Sequence, residues 1–217
     1  HREGTITSTS HAEATSTNIS IPFFFSRCSY CSFVSHSVEN DKARNLLPQY
    51  VSLLEKEIAE TGEIAQKIGV KLESVYIGGG TPTTLSAEQL KTVIDAVKNN
   101  FDLSTCREFT VEAGRPDTIT EEKLLVLKNS PVDRISINPQ TFSDSVLEEI
   151  GRRHTAELTV EKYKDAREIG FDSINMDLIA GLPTDTVESF KNSVDKAIDL
   201  GAENITVHTL ALKKSST

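Results

Sequence analysis

Leu72-Glu73-Ser74-Val75-Tyr76-Ile77-Gly78-Gly79-Gly80-Thr81-Pro82-Thr83 is the stretch from which the fold can be read. The apolar run Leu72–Ile77 suits a buried strand. Three glycines and a proline then break it, and Ser86-x-x-Gln89 follows as a capping-box pattern that opens a helix over Ala87–Asn99. One strand, one tight turn and one capped helix make a βα unit. The same order recurs along the chain. Runs suited to buried parallel strands are Asn18–Phe23, Leu72–Ile77, Glu108–Ala113, Arg134–Asn138, Ser173–Ile179 and Asn204–His208. Helical spacing is expected over Asp41–Ile68, Ala87–Asn99, Glu121–Asn129, Asp144–Ile150, Val160–Ile169 and Thr186–Leu200.

Local signals mark the helix ends. Asp185-x-x-Glu188 reads as a second capping box, Thr120 as an N-cap before Glu121 and Glu122, and Gly170 and Gly201 as stops. Repeated strand–helix units imply right-handed crossovers and a parallel sheet. Periodicity leaves two arrangements open, a doubly wound sheet or a curved partial barrel. A complete eight-strand barrel takes about 250 residues, more than this chain has. Residues 1–17 are rich in Ser, Thr and charge and are expected to be a disordered or non-native extension, leaving 18–217 as the folded domain.

Composition narrows the function. The chain has 217 residues, 37% of them hydrophobic, and a net charge of -9. That acidity argues against nucleic acid as a partner, and no apolar run reaches the ~20 residues of a membrane helix. Neither a basic region nor an apolar core opens the chain, so no secretory signal is expected and a cytoplasmic protein is. Three cysteines are too few, and odd, for a disulfide framework. Two of them stand as Cys28-x-x-Cys31 in a loop after the first strand, where barrel folds gather functional residues. Two thiolates at this spacing can share one metal or cluster; a pair of small buried loop residues is the alternative.

Gly78-Gly79-Gly80-Thr81 is the second candidate. Without Cβ atoms a ligand can approach the backbone, although a tight strand-to-helix turn also uses glycine. The spacing fits neither a dinucleotide loop nor a P-loop. Glu112, Gln140 and Asp177 lie at or near later strand ends. Each alone reads as a structural polar group, but together they put polar groups on one rim of the sheet. Asp177 sits in a largely apolar run, where an unpaired acid is costly. His154 and His208 are weaker candidates, and Glu55, Lys56, Glu57 and Glu60 read as the solvated face of a helix.

Assembled, Ile21-Pro22-Phe23, Ser26–His36, Tyr76–Leu85, Val111–Thr118, Arg134–Thr141, Ile150–Thr155, Asn175–Pro183 and Val207–Leu212 resemble the coproporphyrinogen dehydrogenase branch of the radical S-adenosylmethionine (SAM) superfamily. The resemblance covers about residues 18–217 and implies a partial TIM-type (β/α)6 barrel of parallel strands. It implies a 4Fe-4S cluster and S-adenosyl-L-methionine as cofactors, with Cys28 and Cys31 as metal ligands. Tyr30 would lie near the adenine, Gly78–Thr81 would support the methionine amino group, and Glu112, Gln140, Arg152 and Asp177 would surround SAM. No residue is assigned as catalytic. The implied activity is oxidoreduction in porphyrin and haem biosynthesis: a SAM-derived radical removes hydrogen from coproporphyrinogen III propionates, which become vinyl groups. A tetrapyrrole or haem and an electron donor are the implied partners. Family relatives extend further, so a C-terminal part is expected to be missing.

Two departures qualify the resemblance. The family motif is Cys-x-x-x-Cys-x-x-Cys, and Phe24 stands where its first cysteine belongs. A phenyl ring cannot ligate iron. Cys106 precedes the third strand at its far end, about 20 Å from the rim at ~3.3 Å per residue; His36 is nearer in sequence. Ser20 likewise stands where the family commonly has His. An altered start to the coding sequence would account for both and for the atypical N-terminal stretch. Phe33, two positions after Cys31, replaces a further cysteine of the dehydrogenases. That form also occurs in relatives that act as haem-binding chaperones, whereas Val111-Glu112-Ala113-Gly114-Arg115-Pro116-Asp117 resembles a dehydrogenase subgroup.

Overall fold

The computed structural model describes residues 15–31 and 36–211. Six strands form one parallel sheet: β1 (Ser16–Ile21), β4 (Ser74–Gly79), β5 (Glu108–Gly114), β6 (Arg134–Ile137), β7 (Ile174–Ala180) and β8 (Asn204–Thr209). They lie in the order β1-β4-β5-β6-β7-β8, every pair parallel. Chain order equals spatial order, so the crossovers wind one way and the sheet curls into a partial barrel, with β1 and β8 at its two edges. Six helices cross between strands: α1 (Asp41–Lys67), α2 (Ala87–Asn100), α3 (Glu121–Lys128), α4 (Asp144–Glu149), α5 (Ala156–Ile169) and α6 (Val187–Asp199). Two short strands, β2 (Phe23–Phe24) and β3 (His36–Ser37), pair separately beside the barrel mouth.

Several boundaries depart from expectation for local reasons. The first strand starts at Ser16, inside the stretch expected to be an extension, because Ser16 pairs with Ser74 in the ladder and their hydroxyls bond at 2.8 Å. Residues 1–14 of that stretch, and Phe33, lie outside the described residues. Pro22 has no N–H to give the ladder, so β1 stops at Ile21 and Phe23 joins the separate pair. The fifth helix starts four residues earlier than expected, where Thr155 caps it by accepting from the Leu158 N–H. At the sixth, Thr186 rather than Asp185 is the N-cap, and Asp185 instead accepts from the Thr186 N–H. The Ser86–Gln89 capping box is present in both directions, Thr120 caps α3, and Gly170 ends α5 at φ 105°.

The strands are not apolar throughout. Their side chains alternate, and the alternation divides the protein into two environments. Outward residues such as Val75, Ile77, Phe109, Val111, Ile135 and Met176 are buried against the helices. Inward residues are polar: Tyr76, Glu108, Thr110, Glu112, Arg134, Ser136, Asn175, Asp177 and Thr206 line one cavity inside the curl. The barrel interior is therefore an open polar lumen.

The glycine turn fixes the loop above this lumen. Gly80 donates to the Ile21 carbonyl and Thr81 to the Phe23 carbonyl, both at 2.8 Å. A Cβ on Gly80 would stand 2.5 Å from the Phe23 oxygen, and one on Gly79, at φ 113°, 2.8 Å from the Ile21 nitrogen. Backbone on both sides leaves no flexible atom to yield. Gly80→Ala is expected to cost about 2–3 kcal/mol of stability in urea unfolding. Gly69→Ala, where φ is 72° but nothing lies within 4 Å, should cost about 1 kcal/mol.

Candidate functional site

The lumen opens at the C-terminal ends of the strands as a cavity of about 580 Å³. Cys28, Tyr30, Cys31, Gly79, Gly80, Thr81, Glu112, Gln140, Arg152 and Asp177 all line it, as does Phe24. The topology thus brings together ten of the eleven residues singled out from sequence. Gly78 alone is absent from the lining, because the Tyr76 ring and the Glu112 carboxyl occupy the space beside its Cα. Cys106 lies elsewhere, its thiol donating to the Glu108 carbonyl near the foot of β5.

The cysteine loop is held from several sides. Arg115, 3% exposed, donates to the Ser26 carbonyl at 2.7 Å and to its hydroxyl at 2.9 Å, while its other nitrogens meet Asp117 at 3.0 Å. Ser29 donates to the Ile150 carbonyl, Arg27 to the Cys31 carbonyl, and Cys31 N–H closes a turn on the Cys28 carbonyl. Cys28 is buried and Cys31 half-buried. Sequence reasoning missed Arg115: it bonds 89 residues back along the chain, and no local pattern announces that contact.

Polar groups around the mouth are only partly matched by protein. Arg152 donates to the Tyr30 hydroxyl at 3.3 Å and approaches the Asn138 carbonyl at 3.5 Å, but its Nε has no partner among the described residues. Asn138 Oδ1 and Ser136 Oγ are also buried without partners. Burial pushes the Tyr30 hydroxyl up to about 12, against the pull of Arg152. Gln140 has φ 68°, a left-handed backbone unusual for a side chain of its size. It is locked there because its N–H meets the Asp177 carbonyl and its carbonyl meets the Ile179 N–H, each at 2.9 Å. His154 supports the same segment through the Pro139 carbonyl at 3.3 Å, and burial lowers its pKa to about 4. Asp177 accepts from the Asn175 amide at 2.7 Å and has no ion pair among the described residues. Its acid therefore faces the lumen rather than a buried cation.

Two cofactors can be tested against this geometry. SAM carries an amino acid end, a sulfonium and a nucleoside, so its site must offer cations, carboxylates and hydrogen-bonding groups together. Arg152, Glu112, Asp177 and the unpartnered polar atoms supply that set, and the site fits it. For a 4Fe-4S cluster the mouth offers two thiols, Cys28 and Cys31, with the Phe24 ring lining the same cavity, and the described residues hold no group of three or more His, Cys, Asp or Glu able to bind a metal.

The model of the radical SAM superfamily matches residues 25–197. The chain belongs to the radical SAM superfamily. It is 44% identical over 199 residues to the oxygen-independent coproporphyrinogen-III oxidase-like protein HemZ of Bacillus subtilis (strain 168), covering 91% of this chain and 39% of that protein. It is 40% identical to the heme chaperone HemW of the same organism, covering 90% and 50% respectively. Among solved structures it resembles the radical SAM coproporphyrinogen III oxidase HemN of Escherichia coli, with a TM-score of 0.80, 26% identity, and coverage of 95% of this chain and 49% of that one. The chain spans half or less of these relatives. No described helix is long and apolar enough to cross a membrane.

Burial makes Glu112 a stability sensor. Desolvation raises its pKa from 4.5 to about 7, with Asp177 adding repulsion and Tyr76 and the Gly79 N–H opposing. A carboxyl raised on folding favours the folded state below its unfolded pKa, and that advantage is lost as pH climbs through the folded value. Its ionisation should therefore cost roughly 3 kcal/mol between pH 4.5 and pH 8. Glu112→Gln is expected to remove that decline, so the variant gains on the wild type at pH 8 in urea unfolding. His154 acts on the other side, its contribution being lost as pH falls from 6.5 towards 4.

Proposed function

We propose that the barrel binds SAM at its mouth and takes a tetrapyrrole, through a propionate arm, into the polar lumen. The observation that carries this reading is the convergence of Arg152, Glu112, Gln140 and Asp177 with the glycine turn on one cavity, in a chain of this family. In this assignment Arg152 receives a carboxylate, Glu112 and Asp177 meet the ammonium and sugar hydroxyls, and Tyr30 lies against the base. Cys28 and Cys31 are the two thiol ligands that the chain offers to a cluster.

The reaction proposed for the complete site is oxidative decarboxylation of coproporphyrinogen III propionates to vinyl groups and carbon dioxide, with an external electron donor for SAM cleavage and an electron acceptor that takes the electron lost by the propionate. Bound cluster and SAM supply radical chemistry in this family; the chain's own residues orient SAM and shield it. Phe24 leaves the site one thiolate short. After identical anaerobic reconstitution, the Phe24 protein is expected to hold little stable iron and to leave SAM intact. Phe24→Cys should gain the visible charge-transfer absorbance of a cluster and cleave SAM. Equal iron and equal cleavage in both forms would show that another residue, such as His36, completes the set.

The two-thiol site and the 40% identity to a heme chaperone favour a second reading, haem binding without turnover. Anaerobic incubation with coproporphyrinogen, SAM and reductant separates the two. Vinyl products support the oxidase reading, while haem retention without product supports the chaperone.

Asp177 tests the SAM site itself. Among the described residues its side chain's hydrogen-bond partner is the neutral Asn175, so no buried cation among them is stranded when it is removed. Asp177→Ala is expected to weaken SAM binding in calorimetry about tenfold while unfolding within about 1 kcal/mol of the wild type. A loss of roughly 3–5 kcal/mol in stability would instead mark it as a structural acid.

A further inference from the structure

Tyr76 on β4 faces the lumen, and His208 on β8 is the other ring that the described strands of the six-stranded sheet bring to its lining. Tyr76 stands one inward position below Gly78, in register with Thr110 of β5, while Glu112 is the next inward residue of β5. A Cβ placed on Gly78 would lie 2.4 Å from Tyr76 Cε1 and 2.8 Å from Glu112 Oε2. The Tyr76 ring therefore leans diagonally across the bare Cα of Gly78, and the Glu112 carboxyl reaches the same spot from the neighbouring strand. The Cε1 edge, next to the ring carbon that bears the hydroxyl, thus stands beside the Glu112 carboxyl.

We propose that Tyr76 is a positioning residue of the SAM site: its hydroxyl, carried across Gly78, orients the Glu112 carboxylate towards the cavity and stabilises its charged form. The inference rests on the reading of Glu112 as a SAM ligand. It also gives Gly78 a reason of its own. Any side chain there would part the tyrosine from the acid, even though Gly78 does not line the cavity.

The surroundings make the donor decisive. Asp177 on β7 repels a charge on Glu112, Arg152 after α4 attracts it, and Ser136 of β6 stands beside it in the ladder. Arg134 of β6 faces Tyr76 but is engaged by Glu108 at 2.9 Å. Burial and the two acids push the Tyr76 hydroxyl well above its ordinary range, so at neutral pH it keeps the proton it donates. A carboxylate in so divided a field depends on each hydrogen bond it accepts.

The test reads Glu112 directly. The side-chain carboxyl carbon of Glu112 is followed by 13C NMR through a pH titration of wild type, Tyr76→Phe and Gly78→Ala, with no SAM present. The wild-type midpoint is expected near 7. Tyr76→Phe keeps the ring and should move the midpoint up by about one unit, because one hydrogen bond to the charged form is lost. Gly78→Ala should move it the same way. Calorimetric titration with SAM should then show Tyr76→Phe binding about fivefold more weakly at pH 7, with the gap closing by pH 9 where Glu112 is ionised in both forms. An unmoved midpoint in Tyr76→Phe would overturn the inference, since a ring that merely packs over Gly78 needs no hydroxyl. A moved midpoint with SAM affinity unchanged at every pH would instead overturn the reading of Glu112 as a SAM ligand, and with it any role for Tyr76 in that site.

Discussion

The structure depends on one geometric constraint: side chains on a strand alternate, and in a curled parallel sheet the two faces meet different worlds. Outside, Val75, Ile77, Phe109 and Val111 are removed from water by the helices, and this burial drives folding. Inside, Glu108, Thr110, Glu112, Arg134 and Asp177 could not be packed against one another without a large desolvation cost. The interior therefore stays open, and six strands suffice because the fold does not need to close around a dry centre. The polar lumen is the consequence of a sequence that offers mostly polar residues for that face, with Ile179 the apolar member on β7.

A second constraint seats the loop over the lumen. Parallel strands leave the C-terminal ends of β1 and β4 side by side, and the chain after Ile21 must pass close over the turn that follows β4. Gly79 and Gly80 make that approach possible, and the bonds from Gly80 to Ile21 and from Thr81 to Phe23 use it. The glycines are thus required first by the protein's own backbone, and Gly79 and Gly80 only then present an edge to the cavity. Arg115 completes the seating from the next strand. Its guanidinium is almost wholly buried, which Asp117 and two Ser26 oxygens make tolerable.

Much of this was legible in the sequence. The strand and helix of each βα unit were readable because caps and glycine stops are local chemistry, as Ser86, Thr120 and Gly170 illustrate. Pro22 and Thr155 were readable too, yet their signals were outweighed by the apolar run around Pro22 and the weak periodicity before Val160. The site residues at strand ends were found because parallel topology puts every C-terminal end on one rim. The inward row was harder. In Glu108–Gly114 or Ile174–Ala180 the apolar residues dominate the eye, and period two registers as a buried run with an occasional acid rather than as two faces. Arg115 and Tyr76 depend on contacts between distant strands, which no spacing along the chain encodes.

Phe24 belongs to what holds the fold together at the mouth. Its ring is 7% exposed and its backbone pairs with Ser37 while receiving the Val38 N–H. Burying a side chain of this size contributes about 1.5–3 kcal/mol, so the phenyl stabilises the loop it occupies. Arg115, the Ile150 carbonyl and the turn between Cys28 and Cys31 hold the segment from Ser26 to Cys31 through protein hydrogen bonds. A ligand set is different: two tethered thiolates cannot be supplemented by packing, because iron needs lone pairs and a phenyl edge has none to give. Membership of the family follows from the match over residues 25–197, and the fold that carries it owes to the Phe24 ring only packing and a backbone pairing.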